Sequence, residues 1–154
     1  MKKIKAKINF KDKRGVISDL IEREKIDAIT YITFFKNKVR ANHYHKKTIQ
    51  WNYVISGKVL FVSKINGKIK KITGKKNDLV KIETREHHAI KALNYSEILV
   101  FTKGPRGGKE YESDTFRLKK NLQKLKVRDL MASIRAEDTN YINKVTKGTY
   151  ELGS

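Results

Sequence analysis

All four histidines of this 154-residue chain fall in two short clusters. Imidazole is the side chain best suited to moving protons near neutral pH. In Asn42-His43-Tyr44-His45 two of them stand two residues apart. On a strand both therefore leave the same face. Gln50 follows five residues later and Gly57 seven after that, in a second stretch able to fold back beside the first. By alternation Gln50 and Asn52 share one face of that stretch, and Trp51, Tyr53 and Ile55 share the other. A third imidazole comes from His88 or its neighbour His87, at the start of a later strand. Two or three imidazoles and a carboxamide directed into one lumen make a proton-transfer site.

The elements that must hold these groups read as short strands. Ile65-Asn66-Gly67-Lys68 lies between apolar runs, and Asn-Gly there predicts a two-residue type I′ hairpin. Residues 58–63 and 68–73 are its arms. Further strands are expected over 4–10, 16–20, 26–35, 39–45, 49–56, 79–82, 88–93 and 98–101. So many short strands rich in Ile, Val, Tyr and Phe predict an antiparallel sandwich or barrel. The single proline, Pro105, breaks the pattern within Lys103-Gly104-Pro105-Arg106-Gly107-Gly108. Beyond it Leu118, Leu122, Leu125, Leu130, Met131 and Ile134 have roughly helical spacing, which predicts one or two short helices covering the sheet.

The length allows one core, and 38% hydrophobic with 9% aromatic residues argues for a folded globule. The absence of cysteine removes disulfides, thiolate metal sites and cysteine nucleophiles together. The formal charge of +20 raises the question of a nucleic-acid partner. The lysines are spread along the chain rather than gathered in a stripe, so no nucleic-acid partner is expected. No apolar run approaches the ~20 residues of a membrane span. The basic start, MKKIKAKINF, has no apolar signal core behind it, so no membrane association and a cytoplasmic location are expected.

The pattern resembles the cupin superfamily, whose first motif is Gly, five residues, His-x-His, three or four residues, Glu, six residues, Gly. Here His43, His45, Gln50 and Gly57 stand at those spacings, with Asn37 in the place of the first glycine. Asn tolerates a left-handed turn better than most residues. The second motif is matched more weakly by Glu83-Thr84-Arg85-Glu86-His87-His88-Ala89-Ile90, which lacks the usual proline and glycine. The resemblance aligns His88 with the motif histidine. It implies an all-β fold, an antiparallel jelly-roll (cupin) barrel over 1–118, with short C-terminal helices in an extension over 119–154.

Three further stretches are similar to cupins that modify nucleotide-linked sugars. Asp12-Lys13-Arg14-Gly15 resembles their Asp-x-Arg-Gly. Arg40-Ala41-Asn42-His43-Tyr44-His45-Lys46 resembles the Arg-Gly-x-His-Ala-His-Lys of metal-free sugar ketoisomerases. Asp114-Thr115-Phe116-Arg117-Leu118 is similar to a stretch in cupins of surface-polysaccharide pathways. The resemblance implies a homodimeric isomerase of a nucleoside-diphosphate sugar (ketoisomerase, epimerase or ring mutase), with no cofactor. His43 and His45 would be its acid–base pair and Tyr31 a possible acid. Arg14 and Arg40 would hold the diphosphate, with Gln50, Asn52 and His88 as further substrate contacts. The dimer is expected to use the outer face that carries Trp51, Tyr53 and Ile55. The alternative is a metal-dependent cupin, an oxygenase or metal-assisted isomerase, with His43, His45, Gln50 and His88 as ligands. A carboxamide in the glutamate place makes a poorer ligand for a hard ion. A non-enzymatic basic binding domain is the third reading.

Overall fold

The computed structural model describes residues 1–106, 108–110 and 112–124. Its N-terminal strands are β1 (Lys2–Ile4), β2 (Lys7–Asp12), β3 (Gly15–Asp19) and β4 (Ala28–Phe34). Next come β5 (Val39–Tyr44), β6 (Ile49–Ser56), β7 (Lys58–Ile65) and β8 (Lys68–Lys75). The last are β9 (Leu79–Ile82), β10 (His87–Ala92), β11 (Ser96–Lys103) and the two-residue β12 (Phe116–Arg117). Asn66 and Gly67 both have positive φ, so the β7–β8 hairpin turns where the Asn-Gly pair predicts.

The expected closed barrel does not form. Ten strands make two separate five-stranded sheets, ordered β1-β9-β6-β11-β4 and β12-β5-β10-β7-β8, and β2 and β3 pair only with each other. Each large sheet keeps two edges, because no strand is shared between them. The C-terminal helices are corrected as well: among the described residues there is no α-helix, only 3-10 turns at Gly108–Glu110 and Leu122–Lys124. Leu118 and Leu122 do cover apolar surface, packing with Leu60, Val62, Ile69 and Ala89 on the outer side of the second sheet. They reach it from a strand end and a tight turn, with Asn121 Oδ1 accepting from the Gln123 amide at 2.9 Å. Leu125, Leu130, Met131 and Ile134, and with them most of the expected extension, lie outside the described residues. No helix among the described residues is long and apolar enough to cross a membrane.

The core lies between the sheets. Phe34, Val54, Phe61, Val80, Ile98 and Val100 are buried there in one cluster, each contributing about 1.5–3 kcal/mol through area removed from water. Alternation along β11 is regular, with Ser96, Ile98, Val100 and Thr102 buried.

Strand β5 is irregular, and the irregularity matters. His43 pairs with His88 and Arg40 with Ile90, so β5 spends three residues where β10 spends two. Ala41 and Asn42 take up the extra residue in left-handed conformation, with φ of 65° and 63°. Such a bulge reverses the alternation locally. Arg40 and His43 would face opposite sides of a regular strand; here both face inward. The bulge is secured from outside, where Asn42 Oδ1 accepts from the Leu122 amide at 3.0 Å and Asn42 O accepts from that of Leu118 at 3.0 Å.

Gly57 joins β6 to β7 at φ +84°, and a Cβ there would run into Tyr95 O and the Ser96 side chain. Gly57→Ala should therefore cost more than about 2 kcal/mol in urea unfolding. An unchanged midpoint would contradict this close approach.

Candidate functional site

His43, near the end of β5, and His88, on β10, lie side by side across the register, and His45 follows just beyond β5. Their ring centroids are 4.6 Å apart for His43–His45, 4.8 Å for His43–His88 and 5.5 Å for His45–His88. Each offers a ring nitrogen, and the three nitrogens lie within 4.8 Å of one another. The choice between His87 and His88 is settled by alternation. His88 is buried in the cluster, whereas His87 stacks on Tyr44 at 4.6 Å, and Tyr44 on Phe116.

Hydrogen bonding sets the chemistry of these rings. His45 Nδ1 donates to Asp114 O and His88 Nδ1 to Glu86 O, each at 2.8 Å. A carbonyl can only accept, so Nδ1 carries a proton in each ring, and in the neutral tautomer this selects, Nε2 is the bare lone pair. Neither Nε2, nor His43 Nδ1, has a partner. Burial first, then His88, His45 and the cations Arg117 and Arg106, push the His43 pKa down to about 3. Burial, with His45 and His87, does the same to His88, also to about 3. Both rings are neutral at pH 7.

Of these rings His43 lines a cavity of about 340 Å³ between the sheets, within the usual range for small-molecule sites, and the buried His45 and His88 rings pack against it. His43, Gln50 and Asn52 line it with Ile32, Phe34, Ile90 and Val100. Asn52 is buried and its Nδ2 donates to Val80 O at 3.2 Å, which leaves Oδ1 without a partner. That oxygen can only accept. Cations line the wall: Arg40, Arg106 and Arg117. Arg40 lies over the Phe34 ring at 5.3 Å and donates to Thr33 O at 3.3 Å, while Arg117 pairs with Glu112 at 3.0 Å.

Two expected members stand elsewhere. Tyr31 is on the outward phase of β4, 55% exposed, where a hydrogen bond to Glu97 raises its pKa. Its ring cannot reach the imidazoles through the sheet that carries it. Arg14 is at the tip of the β2–β3 hairpin, held by Asp12 at 2.7 and 2.9 Å, and it does not line this cavity. The sequence reading also missed three groups. Arg106 and Glu112 come from loops and Arg117 from a strand too short to show periodicity, though Arg117 belongs to the quoted Asp114–Leu118 stretch.

With this geometry in view, comparison with known proteins is informative. Residues 10–116 match the family described as Polysaccharide biosynthesis C-terminal domain. The chain belongs to that family. No curated protein matches the sequence. Among solved structures, QdtA, a sugar 3,4-ketoisomerase from Thermoanaerobacterium thermosaccharolyticum solved with TDP, has a TM-score of 0.64 at 20% identity, covering 97% of this chain and 96% of its own. The TDP-quinovose 3,4-ketoisomerase WlaRB from Campylobacter jejuni has the same score at 21% identity, covering 76% and 92%. The capsular polysaccharide assembling protein CapF from Staphylococcus aureus has a TM-score of 0.55 at 18% identity over 75% of this chain. This chain spans only 33% of CapF. The chain thus shares its fold with these solved structures.

The depressed histidine pKa values predict a pH dependence of stability. Between about pH 6.5 and 3 the unfolded chain binds protons that folded His43 and His88 refuse. Stability contributed by their neutral forms is therefore present above pH 6.5 and lost as pH falls towards 3, at up to about 1.4 kcal/mol per pH unit for each ring. Urea titrations should show a shallower fall between pH 6.5 and 5 for folded His43→Asn and His88→Asn variants. Parallel curves would contradict the assignment.

Proposed function

We propose that this protein isomerises a nucleoside-diphosphate sugar in surface-polysaccharide synthesis, acting in the cytoplasm as a homodimer. The observation that carries this is a cavity with His43, backed by His45 and His88, at one part of its lining and three arginines along its wall. Guanidinium groups suit diphosphate oxygens, which they bind bidentately. A sugar held there would place its ring carbons over acceptors.

The chemistry follows from neutral bases. An isomerisation next to a carbonyl begins when a base takes the proton from the neighbouring carbon, giving an enediol. The tautomer of His45 that donates Nδ1–H to Asp114 O has Nε2 free to accept that proton, and the imidazolium so formed would return it to the adjacent carbon. His43 would serve the neighbouring oxygen. Arg106 and Arg117 depress the basicity of His43, and a bound diphosphate offsets their charge. Substrate binding would thereby raise the basicity that catalysis needs. Asn52 Oδ1 and Gln50 would take sugar hydroxyls.

Folded His43→Ala and His45→Ala should each lose at least about 100-fold in turnover, while Arg40→Ala should act mainly on KM. Full turnover in both histidine variants would refute the mechanism. A thermal-shift panel of dTDP, UDP, GDP and CDP should give a selective shift with one of them, since a ligand at a hundred times its Kd adds about 2.7 kcal/mol. No shift with any would remove the nucleotide reading.

The same three nitrogens favour a second reading, a metal-assisted isomerase. Three imidazole nitrogens within 4.8 Å, on rings two of which hold a carbonyl with the other nitrogen, fit a zinc-like divalent ion. His43, His45 and His88 would hold it, and it would supply Lewis-acid polarisation of the keto oxygen. Stoichiometric metal in the purified protein, with loss of stability on chelation, would select this reading.

The dimer is supported by uncovered apolar surface. Ile8, Phe10, Val16 and Ile17 on the β2–β3 hairpin are each at least half exposed, as are Ile29 and Tyr31 on the edge strand β4. A lone two-stranded hairpin is marginal in water. The expected contact through Trp51 is revised, because that ring is buried with Lys81 above it at 5.4 Å. Phe10→Lys with Ile17→Lys should give a monomer by light scattering; an unchanged mass would exclude the hairpin from the interface.

A further inference from the structure

Asp114 lies in the loop that leads into β12, 5% exposed. Its carboxylate accepts three hydrogen bonds from the turn that follows His45. Oδ1 accepts from the Lys46 amide at 3.0 Å, and Oδ2 from the Lys47 amide at 2.9 Å and the Thr48 hydroxyl at 2.7 Å. Its main-chain oxygen accepts from His45 Nδ1 at 2.8 Å. One residue therefore grips four consecutive residues, 45–48, at four points.

The grip depends on a carboxylate. Three donors meet two oxygens, and an ionised carboxylate has acceptor sites for all of them. An Asn would offer one oxygen and turn an NH₂ group against an amide N–H. Burial opposes the charge on Asp114, but the Thr48 hydroxyl and the Lys47 and Lys46 amides outweigh it and hold the pKa below the usual range. Gly104 closes the other side of the turn, where a Cβ would come within 2.9 Å of Thr48 Cα. The turn can thus be neither filled nor shifted easily.

We propose that Asp114 is a positioning residue: its carboxylate fixes the 46–48 turn so that its own carbonyl selects the protonated nitrogen of His45. This rests on His45 being a working member of the site. In water a neutral imidazole exchanges between two tautomers, and only the form with Nε2 bare can accept a proton or a metal ion on the side of His43 and His88. Asp114 touches neither the cavity nor a substrate; it acts through His45. The structure contains its own control, because His88 Nδ1 is held by Glu86 O, a carbonyl of its own strand segment.

Long-range ¹H–¹⁵N spectra of ¹⁵N-histidine-labelled protein read the tautomer of each ring without any turnover. In the unaltered protein His45 and His88 should both show Nδ1–H with Nε2 bare. In Asp114→Ala the ¹⁵N shifts of His45 should move to those of a mixed tautomer, with His88 unchanged. Thr48→Val, which removes one of the four points, should move His45 the same way by less. Should Asp114→Ala fail to fold, Asp114→Asn and Thr48→Val carry the test. A His45 that keeps pure Nδ1–H in the folded variants overturns the proposal, as does a shift of His88 equal to that of His45. Loss of the functional reading would appear separately, as full turnover in His45→Ala.

Discussion

The pairing of β5 with β10 is the constraint on which the site depends. Three residues of β5 span two of β10, and the surplus is absorbed at Ala41 and Asn42 in left-handed conformation. A non-glycine residue costs about 1–2 kcal/mol there, so the bulge must be held in place. It is held from the outer side by the backbone of residues 118–122, bonded to Asn42. What the distortion achieves is parity: Arg40 and His43 come to one side. A regular strand could deliver Arg40 or His43 to the cavity, but not both from this sequence.

The second cost is the burial of three rings without a full set of partners. An unsatisfied buried polar atom costs about 1–3 kcal/mol, and here three nitrogens and the Asn52 oxygen are unsatisfied together. The fold accepts this because the other nitrogen of His45 and of His88 is tied to a carbonyl, which fixes the direction of the bare one. Concentrating unsatisfied acceptors in one place is a poor way to build a core. It is a good way to build a site that waits for protons or for a cation.

Which parts were legible in sequence follows from the same physics. His43 and His45 were readable because strand parity holds across two residues, and Gly57 because its position demands positive φ. The parity of Tyr31 was not readable: residues 26–35 carry apolar side chains on both phases, with Ile29 and Tyr31 on one and Ile32 and Phe34 on the other. Burial chose the second set. Arg40 was placed by resemblance, and regular alternation would have put it on the wrong face. Arg117 escaped periodicity because β12 has only two residues. Barrel closure is not legible in strand count and spacing, which are alike for an open pair of sheets; only the strand pairing separates the two.

The large positive charge divides into two kinds once the cavity is known. The chain has 28 lysines and eight arginines. Three of the arginines line the cavity, and no lysine among the described residues does. A general electrostatic attraction would make no such distinction, since both side chains carry one charge at pH 7. The difference lies in shape: a planar guanidinium offers paired donors in fixed directions and can stack, as Arg40 does on Phe34. Lysine covers the surface, where it serves as solvated polarity and, by its summed field, draws anions toward the protein. Arginine is used where an anion would have to be held in one orientation above the imidazoles. On the proposed reading the net charge is a background, and the selective placement of arginine within it is what would distinguish the site.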